Sequence, residues 1–163
     1  MKQSSSTPPI TISVARDADM AGLFDLYALI IEEGGAFPRE PPADEAMFRA
    51  AWIDKKDVVH VARIDGALAG SYTLGPNYPG IASTIANAGY MVHPDFRRRG
   101  VGTAMVEHSL GQARARGFEA IMFNLVRESN RARSIYERAG FTVTGRVPSA
   151  FAGEDALIYW RRL

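Results

Sequence analysis

Residues 92–103 read VHPDFRRRGVGT and carry the most information about the fold of this chain. A run typical of a β-strand ends at Val92, a turn with three consecutive arginines follows, and two glycines open a predicted helix. The first N–H groups of a helix have no partner within it, and the helix dipole adds positive potential there. Because glycine has no side chain, a phosphate can approach such a helix start closely. The stretch therefore predicts an anion site suited to a pyrophosphate.

The basic turn also has a simpler interpretation. The arginines alone are compatible with a solvated turn before an ordinary helix, so the anion site depends on the two glycines and their position. No lysine followed by serine or threonine comes after the glycines, and the spacing is not that of a dinucleotide fold. Both common nucleotide-binding loops are therefore excluded.

Outward from this stretch, periodicity and turn signals predict the element order β-α-α-β-β-β-α-β-α-β-β. The predicted strands cover residues 10–15, 58–64, 67–74, 81–92, 120–126, 141–147 and 155–160. The predicted helices follow a cap at Asp17 and end at Gly34-Gly35, follow a cap at Asp44, and cover residues 100–116 and 129–139. This order predicts an α/β (α+β) fold with a mixed sheet and helices on both faces.

Length and composition indicate one domain over residues 10–163 behind a flexible, Ser- and Pro-rich tail over residues 1–9. With 47% hydrophobic and 23% charged residues the chain is typical of a globular protein. A net charge of +1 gives no drive toward nucleic acid, and no apolar run approaches the ~20 residues that span a membrane. Three scattered histidines and no cysteine predict no metal site, and the absence of cysteine suits the cytoplasm.

Two motifs together resemble one known family. Arg97-x-x-Gly100-x-Gly102 after a strand is similar to the pyrophosphate loop of the GCN5-related N-acetyltransferases (GNAT), and residues 130–141, NRARSIYERAGF, resemble the helix of that family that carries a tyrosine and ends in Gly-Phe. The resemblance implies an acyltransferase that uses acetyl-CoA. It also implies a mostly antiparallel sheet of about seven strands, splayed at its centre, with about four helices.

The same resemblance implies which residues contact the cofactor. The strand ending at Val92 would bind the pantetheine arm through its backbone, the turn and helix start would bind the pyrophosphate, and the second motif would complete the site. Where the family usually has an asparagine before this helix, the chain has Ser129, with Asn130 one residue later. The implied cofactor-binding residues are Tyr90, Met91, Val92, Arg97, Arg98, Arg99, Gly100, Val101, Gly102, Thr103, Ser129, Asn130, Arg133 and Tyr136.

Two residues have implied catalytic roles. The N–H group of Val92, or of its neighbour, would stabilise the thioester oxygen, aided by a bulge in the strand near it. Tyr136 would protonate the leaving thiolate, although its spacing also fits a core aromatic residue. The general base is open between His93, Glu128, Asp155 and a base acting through water.

A narrower likeness involves residues 87–92, 123–126, 147–151 and 155–157. These segments resemble the fungal acetyltransferases that act on azetidine-2-carboxylate, and the resemblance implies that Asn87 and Asn124 hold a small amino-acid substrate. The first hypothesis is therefore an N-acetyltransferase of a small-molecule amine. The alternatives are an acetyltransferase of a protein N-terminus or lysine, and a non-catalytic acyl-CoA sensor. The resemblance also allows a homodimer through the last strands.

Several other residues have two interpretations. Phe37, Phe48 and Trp52 could line the acceptor pocket, but isolated aromatic residues are more often part of the core. His60 and His108 are expected to be packed or structural.

Overall fold

The computed structural model describes residues 8–163. The predicted tail, residues 1–9, lies outside the described residues except for Pro8 and Pro9, which precede the first strand. The strands are β1 (Ile10–Val14), β2 (Val58–Ile64), β3 (Ala67–Pro76), β4 (Ile85–Val92), β5 (Ala120–Arg127), β6 (Thr142–Phe151) and β7 (Glu154–Arg162). The helices are α1 (Met20–Glu33), α2 (Glu45–Phe48), α3 (Val101–Ala115) and α4 (Arg133–Arg138).

The seven strands form one mixed sheet in the order β1-β2-β3-β4-β5-β7-β6. Every neighbouring pair is antiparallel except β4 and β5, which run parallel. The predicted fold class and the predicted order of elements are thereby confirmed for the described part of the chain. The hairpin between β2 and β3 turns at Asp65 and Gly66, which both have positive φ, as the Asp-Gly signal predicts.

The sheet is splayed between β4 and β5, as the resemblance implies. These strands pair only at Ile85 with Ala120 and Ala86 with Ile121, although β4 continues to Val92 and β5 to Arg127. The divergence coincides with a register shift in the pairing of β5 with β7, between Phe123 and Val126. A bulged strand bends away from its former path, so β5 follows β7 and leaves a gap beside β4.

The prediction of a bulge in β4 near Val92 is wrong. β4 pairs with β3 from Ala86 to Val92 in one unbroken register. The irregularities lie elsewhere: between Ala62 and Arg63 of β2 against β3, in the β5 segment described above, and in the pairing of β6 with β7. The gap therefore comes from bending of β5 rather than of β4.

Helices cover both faces of the sheet, as predicted. Under α3 and α4 lies the larger core, which includes Tyr72, Met105, Ile121 and Phe123. On the opposite face α1 and α2 enclose a second core around Tyr27, Phe48, Trp52 and Met91. Phe37 packs against Trp52 with a ring-centroid distance of 5.7 Å. Of the three aromatic residues with two interpretations, Phe48 and Trp52 are thus core residues, and Phe37 is partly buried against them.

Several predicted boundaries differ from the observed ones. β4 begins at Ile85, because Gly80–Ala82 forms a 3-10 turn where the strand was expected to start. The last two strands are longer than predicted, and β6 accommodates Pro148 at a register shift, where a proline removes no ladder hydrogen bond. None of the helices within residues 8–163 is both long and apolar enough to cross a lipid bilayer.

The predicted helix caps have mixed outcomes. Asp44 caps α2, with its carboxylate accepting from the N–H group of Met47 at 2.7 Å. The prediction that Asp17 caps a helix is wrong, because Asp17–Asp19 form a 3-10 turn before α1. In this turn the carboxylate of Asp19 accepts from the N–H group of Arg16. The helix predicted over residues 129–139 shortens to α4, because the side chain of Asn130 accepts from the N–H group of Ala132 and holds a turn there.

Candidate functional site

The edge of β4 that faces the gap is defined by strand alternation. The N–H group of His93 donates to Ala69 in β3, and the carbonyl of Ile85 accepts from Asn77 beyond β3, so the odd-numbered residues of β4 hydrogen-bond toward β3. The backbone groups of Tyr90 and Val92 therefore point toward β5 and the gap.

Met91 has the opposite orientation. A Cβ atom placed on Gly70 of β3 would lie 2.7 Å from the carbonyl oxygen of Met91, which agrees with a backbone directed at β3. Of the three backbone contacts implied by the resemblance, those of Tyr90 and Val92 face the gap and that of Met91 does not.

The turn after β4 leads into the start of α3. Arg98 has a φ of 59° and Gly100 a φ of 82°, and this left-handed step turns the chain into the helix. The N–H group of Ala104 donates to Gly100, whereas those of Val101, Gly102 and Thr103 have no backbone partner among the described residues. Three free donors at the positive end of a 15-residue helix are the arrangement that an anion site requires, and binding of a pyrophosphate there stays a prediction.

The three arginines of the turn differ in their surroundings. Arg97 forms a two-pronged ion pair with Glu33, the last residue of α1. The guanidinium of Arg99 lies 5.2 Å from the ring centroid of Phe96. Arg98 makes no salt bridge with the described residues. Arg97 thus has an acidic partner 64 residues away, which no local pattern revealed.

Gly102 has a packing role that the phosphate argument did not include. A Cβ atom there would lie 3.1 Å from the side chain of Ile135 in α4, so the glycine lets α3 and α4 approach closely. A cavity of about 160 Å³ opens beside this contact. Its lining residues are Thr103, Val106, Glu107, Ile135, Arg138 and Ala139.

Tyr136 of α4 lies in an aromatic cluster under the gap. Its ring centroid is 4.7 Å from that of Phe123, 5.8 Å from Tyr159 and 6.1 Å from Tyr90. Burial raises the pKa of the Tyr136 phenol above its ordinary value of about 10, and Tyr159 adds to the rise. Its hydroxyl has no hydrogen-bond partner within residues 8–163, whereas that of Tyr90 is 2.8 Å from Ser109. The Tyr136 hydroxyl is therefore neutral and available to a ligand.

The residues around the start of α4 have partners within the protein. The N–H group of Ser129 donates to the carboxylate of Glu154 at 2.6 Å. Arg133 donates to the hydroxyl of Tyr159 at 2.9 Å and to the carbonyl of Glu128 at 2.8 Å. Arg133 thereby ties α4 to β7, which is a structural role beside the cofactor contact that the resemblance implies.

Asn87 and Asn124 lie on the two strands that flank the gap, but no hydrogen bond joins them. Asn87 spans the gap and donates to the carbonyl of Met122 at 3.0 Å. Asn124 exchanges two hydrogen bonds with Asn77, at 2.7 and 2.9 Å. Asn77 was not predicted, because its partner lies 47 residues away and only the fold brings them together.

Comparison with known proteins identifies the family. A family model described as "Acetyltransferase (GNAT) family" matches residues 23–141. The chain belongs to the GNAT acetyltransferase family. The match covers the gap, the anion site and Tyr136, so it includes both motifs of the sequence analysis.

Two curated GNAT relatives differ in how much of their length is matched. An N-acetyltransferase named aca1 from Schizosaccharomyces pombe is 36% identical over 85 residues, which are 52% of this chain and 41% of that protein. The L-amino acid N-acyltransferase MnaT from Escherichia coli K12 is 24% identical over 145 residues, covering 85% of this chain and 83% of MnaT.

Solved GNAT structures match the whole domain. A GCN5-related N-acetyltransferase from Kribbella flavida has a TM-score of 0.88 at 30% identity, covering 94% of this chain and 98% of that one. A phosphinothricin acetyltransferase from Sinorhizobium meliloti, solved with AcCoA, has a TM-score of 0.83 at 20% identity, covering 94% and 88%. At that identity the second likeness concerns the fold alone.

The residues considered as the general base of this GNAT chain differ in their hydrogen-bond partners. The guanidinium of Arg146 binds both Glu128, at 2.7 and 3.0 Å, and Asp155, at 2.8 Å. Arg146 lowers the pKa of Glu128, and the N–H group of Ser149 together with Arg146 lowers the pKa of Asp155. Two carboxylates stabilised in their charged form are poor proton acceptors.

His93 is placed differently from these carboxylates. Its Nδ1 accepts from the N–H group of Asp95 at 3.2 Å, so a neutral imidazole carries its proton on Nε2. Residues 8–163 contain no cluster of three or more His, Asp or Glu side chains arranged to hold a metal ion.

Proposed function

We propose that this GNAT chain transfers an acetyl group from acetyl-CoA directly to the amine of a small amino acid, imino acid or analogue. The observation that carries the proposal is the gap between β4 and β5, which has a free backbone edge on one side and the open start of α3 at its end. An extended arm that ends in a pyrophosphate matches both parts. The similar proteins include an L-amino acid N-acyltransferase and an acetyltransferase solved with AcCoA, which agrees with it.

The described residues fit acetyl-CoA as a co-substrate. The free N–H groups of Val101, Gly102 and Thr103 would donate to the pyrophosphate, with Arg98 and Arg99 nearby. The gap-facing backbone groups of Tyr90 and Val92 would hydrogen-bond the pantetheine arm as an added strand does. Acetyl-CoA supplies the activated acyl group.

The catalytic work of the chain is positioning and charge stabilisation. The N–H group of Val92 would donate to the thioester oxygen as charge develops on it. Holding the amine and the thioester together supplies up to about 7–11 kcal/mol in the best cases. The amine reaches the carbonyl carbon directly, so the protein forms no acyl intermediate.

The hydroxyl group of Tyr136 would donate a hydrogen bond to the departing sulfur. Because burial raises the pKa of this phenol, and an ordinary thiol such as that of cysteine has a pKa of about 8.5, complete proton transfer from Tyr136 to the thiolate is uphill. A short hydrogen bond to the sulfur therefore suits Tyr136 better than full ionisation. The proton of the amine would leave through water or through His93, since Glu128 and Asp155 are held by Arg146.

A CoA-release assay with acetyl-CoA and a panel of amines tests this proposal. The panel contains azetidine-2-carboxylate, proline, other amino acids, polyamines, aminoglycosides and a peptide with a free N-terminus. We expect turnover with small amino or imino acids and a loss in kcat of about 10- to 100-fold for Tyr136→Phe. Tyr72→Phe removes a hydroxyl that is bonded to His108 in the same core and is the control.

The outcomes separate the alternatives. Turnover of the peptide alone would favour a protein acceptor. Binding of acetyl-CoA without turnover of any amine would favour a sensor. Unchanged kcat in Tyr136→Phe would remove the role of that tyrosine and leave the reaction in place.

A further inference from the structure

Arg127 is a cation near the gap that neither motif of the family covers. It ends β5, three residues after Asn124. Phe123 and Val126 both face the core under α3, so Arg127, which follows Val126, projects to the opposite face. That face is covered by α1 and by the loop that begins at Gly34 and Gly35, and it is opposite the helix start that suits the pyrophosphate.

The guanidinium of Arg127 is held on one side only. Its Nε donates to the carboxylate of Glu154 at 2.5 Å, and Glu154 is itself fixed by the N–H group of Ser129. The ring of Phe151 lies 5.8 Å from the guanidinium carbon. The two terminal nitrogens have no hydrogen-bond partner within residues 8–163, and about a third of the side chain is exposed. A pre-oriented pair of free N–H donors is the arrangement that binds a carboxylate in two-pronged fashion.

Gly35 leaves space for this guanidinium. A Cβ atom on Gly35 would lie 2.8 Å from the Nη1 atom of Arg127, whereas a Cβ atom on the adjacent Gly34 would have no neighbour within 4 Å. Both glycines have positive φ, 84° and 74°. The loop that follows α1 is therefore shaped around Arg127.

We propose that Arg127 binds the carboxylate of the acceptor and makes this enzyme selective for amines that carry one. The inference rests on the proposed function, since it concerns the acceptor of that reaction. Asn87 follows Ala86 and Asn124 follows Phe123, which both face the core under α3, so the two asparagines lie on the opposite face with Arg127. The acceptor would then have amide groups on one side and the guanidinium on the other. The carboxylate of an amino acid would bind the guanidinium, and its amine would then point toward the thioester.

The test compares an acid with its amide. The best amino-acid acceptor of the panel and its primary carboxamide are assayed by CoA release with the wild type, Arg127→Gln and Glu154→Gln. We expect the wild type to prefer the acid. In Arg127→Gln we expect kcat/KM for the acid to fall about 10- to 100-fold, mainly through KM, with the amide little changed. Glu154→Gln keeps the guanidinium but weakens its orientation, so we expect a smaller loss of the preference than in Arg127→Gln.

A matched pair of glycine variants tests the same point without touching the arginine. Gly35→Ala displaces the guanidinium and is expected to lower the preference for the acid, whereas Gly34→Ala imposes similar backbone strain and keeps it. An unchanged acid-to-amide ratio in Arg127→Gln, with turnover intact, overturns this inference alone. An equal loss of kcat/KM for the acid and the amide in Arg127→Gln also overturns it, because the role of the arginine would then be structural. A wild type that acetylates no carboxylate-bearing amine overturns both this inference and the proposed function.

Discussion

His60, Tyr72 and His108 form a buried titratable group beneath α3. The rings of His60 and Tyr72 stack at 4.8 Å, and the hydroxyl of Tyr72 lies 2.8 Å from Nδ1 of His108. The Nδ1 atom of His60 is buried without a hydrogen-bond partner. The predicted packed position of His60 is confirmed, since only 3% of the residue is exposed.

The environment of His60 predicts a loss of stability in mild acid. Burial, with help from His108 and Arg116, lowers the pKa of His60 from 6.5 to about 4. The unfolded chain therefore binds a proton between these pH values that the folded chain does not, and stability falls as pH drops from about 6.5 to 4, by up to about 3 kcal/mol. Urea unfolding at a series of pH values measures the loss, which we expect to be much smaller in His60→Phe.

The control for this prediction is internal. Above pH 7 both proteins have a neutral side chain at this position, so their difference in unfolding free energy there is the packing cost of the substitution alone. Parallel stability curves from pH 7 to 4 would contradict the pKa of His60.

At the scale of elements, Gly70 of β3 lets this strand approach both β4 and α3 closely. A Cβ atom on Gly70 of β3 would lie 2.7 Å from the carbonyl oxygen of Met91 and 3.0 Å from the Met105 side chain. We expect Gly70→Ala to destabilise the fold by about 1–3 kcal/mol, since backbone atoms cannot yield as a flexible side chain does. Chemical denaturation measures this loss.

Gly111 in α3 offers the matched control for that prediction. A Cβ atom there would have no neighbour within 4 Å. Gly111→Ala is therefore expected to stabilise the protein by about 0.5–1 kcal/mol through helix propensity. Equal effects of the two substitutions would show that contact at Gly70 does not matter.

The elements also show what local sequence could predict. Alternation, helical periodicity and the Asp65-Gly66 turn depend on neighbouring residues, so the strands, α1 and α3 were predictable to within a few residues. The length of α4 was not, because a side-chain hydrogen bond from Asn130 competes with the helix. The pairing of Asn77 with Asn124 and that of Arg97 with Glu33 join residues 47 and 64 positions apart, and no local pattern encodes them.

At the scale of the molecule, the sheet is two halves joined at a narrow seam. β1–β4 and β5–β7 share only the two residue pairs at Ile85 and Ala86 in direct strand pairing. Beyond these pairs the halves are held together by the hydrogen bonds of Asn87 with Met122 and of Asn77 with Asn124, and by packing of α3, α4 and the aromatic side chains between them. A ligand lying along the seam would therefore contact both halves.

Hydrogen exchange along β4 tests this view of the seam. The N–H groups of Gly89 and Met91 bond to β3 and are expected to exchange slowly with or without CoA. Those of Tyr90 and Val92 face the gap, so we expect faster exchange in the free protein and slower exchange after CoA is added. Two-dimensional NMR in deuterated water resolves the four amides. Equal slowing at all four, or at none, would contradict binding of the arm along this edge.

The ion pair between Arg97 and Glu33 affects how a pyrophosphate would bind at Arg97. The guanidinium of Arg97 already binds the carboxylate of Glu33, so a phosphate that bound Arg97 would replace one negative group with another. Such an exchange releases few counterions at this residue, and its share of the affinity for CoA should vary little with salt. Glu33 is the last residue of α1 and directly precedes the loop in which Gly35 contacts Arg127. A pyrophosphate that bound Arg97 would therefore leave a free carboxylate next to the loop that contacts Arg127.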